Sequence, residues 1–297
     1  MSVDAALDAT VARARAAFVR ACDLDVAVRK PGNVSRVSPG HRMTADLFSA
    51  SARAAAGPLF ERGAGVGRRI EGATAASLAA AGCNTNLGIV LLCAPVAAAI
   101  ERPGALAGAA ALRGAIEAVL AALDLDDARG AYAAIAQAHP GGLGTTSEQD
   151  VHEVPSVDLR RAMVLAADRD SIAGQYASGY ADLFDAVLPI PGHPAAGGGR
   201  PDAAIDVSAE AAVQRVFLGF LARLPDAHIV RKHGAAVAHS VMAAAQGWSG
   251  VERPALDPRY AAWDEELKAA GINPGTSADL TVAALFIDAL AGPWHGS

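Results

Sequence analysis

About a quarter of this chain is alanine, the residue with the highest helix propensity, and nowhere do valine, isoleucine, threonine and tyrosine alternate over the length of a strand. The two facts together constrain the fold more than any motif. Small apolar residues at helical spacing let helices approach closely, and nothing supplies the period-two pattern of a sheet. The 297 residues therefore predict an all-α fold: a single globular domain spanning 1–297, a multi-helix bundle whose polar loops converge on a central cleft.

Charge and cysteine content narrow the class. A net charge of −6 lacks the basic face of a nucleic-acid binder. Three cysteines, Cys22, Cys83 and Cys93, leave at least one unpaired, which suits a reducing cytoplasmic compartment. The N-terminus carries acids early and no apolar signal core. The longest apolar run, Gly88 to Ile100, falls short of the roughly 20 residues that cross a bilayer and contains Pro95. No membrane contact is expected.

Helices are expected at 3–22, from Thr44 as N-cap to about 56, and at 66–81, 87–99, 104–122, 126–138, 158–169, 171–187, 206–224, 234–246, 258–270 and 277–290. Between them, four loops repeat one arrangement, polar residues and glycine at the mouth of a helix. They are "RKPGNVS" (29–35), "GCNTNLG" (82–88), "GGLGTTSEQDVHE" (141–153) and "NPGTSADL" (273–280). Helix N-termini carry free N–H groups and a partial positive charge that suit phosphates, and Lys30 adds a point charge. Capping explains the same residues, with Thr85, Thr146 and Ser277 as ordinary N-caps.

The nucleotide- or substrate-binding candidates are Lys30, Gly32, Asn33, Ser35, Asn84, Thr85, Asn86, Lys232, Thr276 and Ser277. Asp150 and Glu153, in a long loop, are candidates for proton transfer or metal ligation, and Asp279, read as first-turn acid of the last helix, joins them as a metal candidate. Histidines show no zinc spacing, and the glycines of "GVGRRIEG" follow no strand, so neither a zinc site nor a dinucleotide fingerprint is expected.

Taken in order, "KPGNVS", "NTNLG", "RDSIAGQY" and "NPGTSADLTVAALF" resemble the triphosphoribosyl-dephospho-CoA synthase family over about residues 25–290. The resemblance implies an all-α transferase that uses ATP, with Mg²⁺, and 3′-dephospho-CoA. The 2′-hydroxyl of dephospho-CoA replaces adenine on the ATP ribose. Members of the citrate-lyase branch read closer to "PGLVD" and "NTHKG", whereas Ser35 and Asn86-Leu87 stand here. That departure makes a divergent branch, transferring to another acceptor in one-carbon coenzyme assembly, an alternative. A non-catalytic helical binding protein is a third reading. Small-molecule partners are expected, and a homodimer is allowed.

Overall fold

A computed structural model describes residues 2–138, 149–187 and 207–292. Among them run α1 (Val3–Ala27), α2 (Ala45–Leu59), α3 (Val66–Ala81), α4 (Leu87–Ala99), α5 (Ala109–Leu120), α6 (Leu125–Ala138) and α7 (Leu159–Ala166). They continue with α8 (Ser171–Ser178), α9 (Ala181–Val187), α10 (Val207–Leu221), α11 (Ala227–His233), α12 (Ala235–Gln246), α13 (Pro258–Ala269) and α14 (Gly275–Ala291). The described residues hold no strand, only isolated bridges at Ser35–Ser38 and Gly40–Met43. None of these helices is long and apolar enough to cross a membrane. Thr146 and the glycine-rich stretch 141–148 fall outside the described residues, as does "LPIPGHPAAGGGRP".

Helix α4 lies at the centre. From Leu87 to Ala97 every residue is buried, which explains an apolar run with no polar face. Pro95 cannot donate to the carbonyl of Leu91 one turn back. That carbonyl instead accepts the hydroxyl proton of Tyr176, at 2.6 Å, and Tyr180 binds the Leu92 carbonyl at 2.7 Å. A proline defect in the core is thus repaired from α8 and the turn that follows it.

Apolar side chains form two clusters. The larger gathers α1 to α6, α8, α9 and most of α14 around α4. The smaller joins Phe217, Leu221, Ile229, Val241, Tyr260 and Leu267, from α10 to α13. Helix α14 serves both, since Ala278 packs in the smaller cluster and Leu280 onward in the larger. Asp279 falls between them.

Several boundaries differ from the sequence expectation. The segment 171–187 is two helices, broken where Gly179 and Tyr180 both take left-handed backbone, at φ 63° and 62°. Helix α5 starts at Ala109, beyond the Pro103-Gly104 turn. Helix α11 was not expected as a helix; Asp226 caps it, accepting the N–H groups of His228 and Ile229. Helix α14 begins at Gly275, so Asp279 lies in its second turn and Ser277 is inside the helix, not its cap.

Candidate active site

The loop "KPGN" is held by buried polar contacts on every side. Lys30 is fully buried, and its ammonium donates to the Asp25 carbonyl at 2.6 Å and pairs with the Asp25 carboxylate at 2.9 Å. The expected phosphate-binding point charge is therefore committed inside the protein. Gly32 takes φ 77°, and a methyl carbon added there would stand 2.8 Å from Pro274 Cδ and 2.9 Å from the Ile272 carbonyl. Its N–H donates to the fully buried Asp264, 2.9 Å away, which also pairs with Arg29 at 3.0 Å and Lys268 at 2.9 Å. Asn33 donates through Nδ2 to Asn273 Oδ1 at 2.9 Å, tying this loop to the entry of α14.

The entry of α14 is tied in turn to α11. Ser277 donates its N–H and its hydroxyl to Asp226 Oδ2, at 2.7 and 2.8 Å. Thr276 Oγ1 accepts the His228 N–H at 3.1 Å. Both oxygens of Asp226 are thus occupied. Burial pushes its carboxyl up, and the Ser277 and Ile229 donors together with Arg231 pull it back.

The "CNTN" turn is tied to α2 and α3. Asn84 Oδ1 accepts the Leu87 N–H at 3.2 Å, satisfying the start of α4. Thr85 Oγ1 lies 2.5 Å from Ser51 Oγ, and Asn86 Oδ1 accepts the Ser77 hydroxyl. Asn84 and Thr85 therefore owe their place to the frame. Asn86 retains a free donor, since its Nδ2 is buried without a partner.

Asp279 joins these parts. Its carboxylate rests against Gly88 at the mouth of α4, where a methyl carbon would stand 2.6 Å from Asp279 Cγ and 2.8 Å from Ile172 Cδ1. Unlike Asp226, it is partly exposed, and among the described residues it forms no hydrogen bond or ion pair. Burial holds its carboxyl well above the usual range, Asp226 and Asp25 raise it further, and Arg231 lowers it. The "RDSIAGQY" stretch enters through Asp170, which caps α8 and pairs with Arg231 at 2.9 Å.

Not every expected residue joins this group. Asp150 is buried beside Tyr132 of α6, whose hydroxyl pKa is raised by burial and then by Asp150, and it accepts the His152 N–H at 2.9 Å. Glu153 is exposed. Among the described residues no three His, Cys, Asp or Glu side chains are grouped to hold a metal ion, so Asp150, Glu153 and Asp279 are not assembled as a ligand set. Asp150 faces α6 while Asp279 faces α4. Lys232 is exposed on α11, near His228. Ser35 is buried with an unpartnered hydroxyl.

Sequence reasoning missed Asp25, Asp226, His228 and Asp264, whose roles arise from contacts between distant elements. Among the described residues, most buried side-chain atoms left without a partner belong to this region: Asp25 Oδ1, Ser35 Oγ, Asn86 Nδ2, His228 Nε2 and Arg231 Nε. Folded proteins pair most such atoms with protein, ordered water or a ligand.

The family model for CitG, ATP:dephospho-CoA triphosphoribosyl transferase, matches residues 11–297. The chain belongs to this family. Three of the four stretches that carried the resemblance, "KPGNVS", "NTNLG" and "NPGTSADLTVAALF", are linked in space through Asn33–Asn273 and Asp279–Gly88. Its fold is similar to a crystal structure from Archaeoglobus fulgidus, provisionally named a triphosphoribosyl-dephospho-CoA synthase. The TM-score is 0.58 at 20% identity, covering 82% of this chain and 98% of that one. No curated protein sequence matches it.

Proposed function

We propose that this transferase moves the triphosphoribosyl group of ATP onto the 2′-hydroxyl of 3′-dephospho-CoA and releases adenine. The observation that supports the reading within this family is Asp279: an uncommitted, partly exposed carboxylate set among buried acids, where three linked loops meet.

In the reaction, the bond from ribose C1′ to adenine N9 breaks and a bond from C1′ to the acceptor 2′-oxygen forms. Positive charge builds on the sugar, and a nearby carboxylate stabilises it. Burial and its acidic neighbours disfavour the charged form of Asp279, so its carboxyl holds a proton more readily than an ordinary aspartate. Giving that proton to the departing adenine leaves a carboxylate facing the cationic sugar. Taking the proton of the 2′-hydroxyl then restores the starting state. One residue thus serves in turn as acid, electrostatic partner and base.

Mg²⁺ is expected to arrive on the triphosphate. An ion of this kind keeps phosphate and water oxygens and takes only one or two carboxylates. Asp25 Oδ1, buried and unpartnered, is a hard oxygen that fits it, and when bound the ion would supply charge neutralisation for the phosphates.

Incubating the protein with ATP, Mg²⁺ and dephospho-CoA, followed by chromatography, tests the reading. Stoichiometric adenine and a triphosphoribosyl adduct support it. Nucleotide binding with neither product points to another acceptor.

A further inference from the structure

We propose that His228, Arg231 and Lys232 form a seat for the phosphate chain of a nucleotide substrate, beside Asp279 on the face of α11. The inference rests on the transferase reading for the identity of the nucleotides; the seat itself rests on the geometry of α11.

Positions 228, 231 and 232 share one helix face, at spacings of three and four. Helix α11 is fixed at its start by Asp226, which caps it and grips Ser277 of α14. His228 is further fixed by the Thr276 contact to its N–H, and a methyl carbon added at Gly275 would stand 3.5 Å from its Cγ. The ring therefore has a set position, yet its Nε2 is buried with no partner. Arg231 shows the same pattern. One Nη1 grips Asp170 at 2.9 Å, and its Nε is buried unpaired. Lys232 is exposed and makes no ion pair among the described residues.

The charge around the ring decides what can complete these groups. Lys232, Arg231, His41 and His233 all act on His228, and with burial they hold it neutral down to a pKa of about 4. Arg231 and Lys232 favour an anion over a cation at that position. An acceptor oxygen on an anion satisfies Nε2–H, Arg231 Nε–H and the Lys232 ammonium together. Arg231 acts electrostatically on Asp226 and Asp279, and Gly275, against which the His228 ring lies, is one helical turn from Asp279 on α14. A polyphosphate is the anion that both substrates of the proposed reaction carry. It is a triphosphate on ATP and a diphosphate on dephospho-CoA.

Calorimetric titration of the full chain and of His228→Gln, Arg231→Met and Lys232→Met tests the seat, using inorganic tripolyphosphate, ATP, adenosine and dephospho-CoA as probes. Loss of a charge-assisted contact predicts tripolyphosphate binding weakened about tenfold or more in Arg231→Met, with adenosine affinity unchanged. A parallel loss for ATP but not dephospho-CoA assigns the seat to the triphosphate; the reverse assigns it to the acceptor. Lys232→Met, at an exposed position, gives a variant whose packing is undisturbed, and a loss of at least threefold for tripolyphosphate is expected there. Unchanged tripolyphosphate binding in all three variants, or equal losses for adenosine and ATP, overturns the proposal. If wild-type protein forms no adenine while the variants still lose tripolyphosphate, the seat stands and the reaction reading falls.

Discussion

The carboxylate of Asp279 packs against the bare Cα of Gly88, so that the acid on α14 and the first turn of α4 share a space no other residue at 88 would leave open. A methyl group there meets Asp279 Cγ at 2.6 Å and Ile172 Cδ1 at 2.8 Å. Gly88→Ala should therefore re-aim the acid. Adenine release is expected to fall about a hundredfold, the scale of a misplaced reacting group, while circular dichroism remains helical. Wild-type turnover in this variant would show that Asp279 does not act where it rests.

Replacing the acid itself separates function from stability. Asp279→Asn replaces a carboxyl whose charged form burial, Asp226 and Asp25 all disfavour. The melting temperature should stay level or rise, while turnover drops about a hundredfold to ten-thousandfold. Loss of both together would mark Asp279 as a structural residue.

Asp264 is the anchor of the "KPG" loop. It is fully buried and accepts from Gly32, Arg29 and Lys268 at once. Asp264→Ala leaves two cations and an amide without their acceptor. A loss of about 3–5 kcal/mol in urea denaturation is expected, as for one partner removed from a buried pair.

Stability should respond to pH through two groups with opposite sign. His228 falls from 6.5 to about 4 on folding, so between those values the unfolded chain binds the extra proton and stability climbs with pH. Asp288 rises from 3.8 to about 6 because of burial, so the folded chain binds the extra proton there and stability declines with pH. Relative to wild type, the slope of stability against pH between about 4 and 6 should fall for His228→Gln and rise for Asp288→Asn. Parallel curves would mean that neither group changes its proton affinity on folding.

Local chemistry made the helices legible. Thr44 as cap, Gly82 as a left-handed stop and the apolar run from Leu87 each marked a boundary where the structure has one. Helix α11 escaped because seven residues are too few to display a period, and its cap, Asp226, follows a proline as loop acids commonly do. The loops of the site were readable for the same reason as the helices: glycine and amide residues stand out in an alanine-rich chain. Their roles were not. Lys30 reads as a phosphate ligand until Asp25 is found beside it, and Thr85 as a cap until Ser51 is. A side chain's partner from a remote element leaves no trace in its own neighbourhood, so the frame and the reacting groups look alike in one dimension.

Ala278 and Leu280 are rooted in different apolar clusters, with Asp279 between them on one continuous helix. An acid mounted this way cannot swing on a hinge of its own. To displace its backbone, both clusters must shift together, so where this side chain is mounted is a property of the whole bundle, and distant packing defects on either side should blunt its accuracy alike.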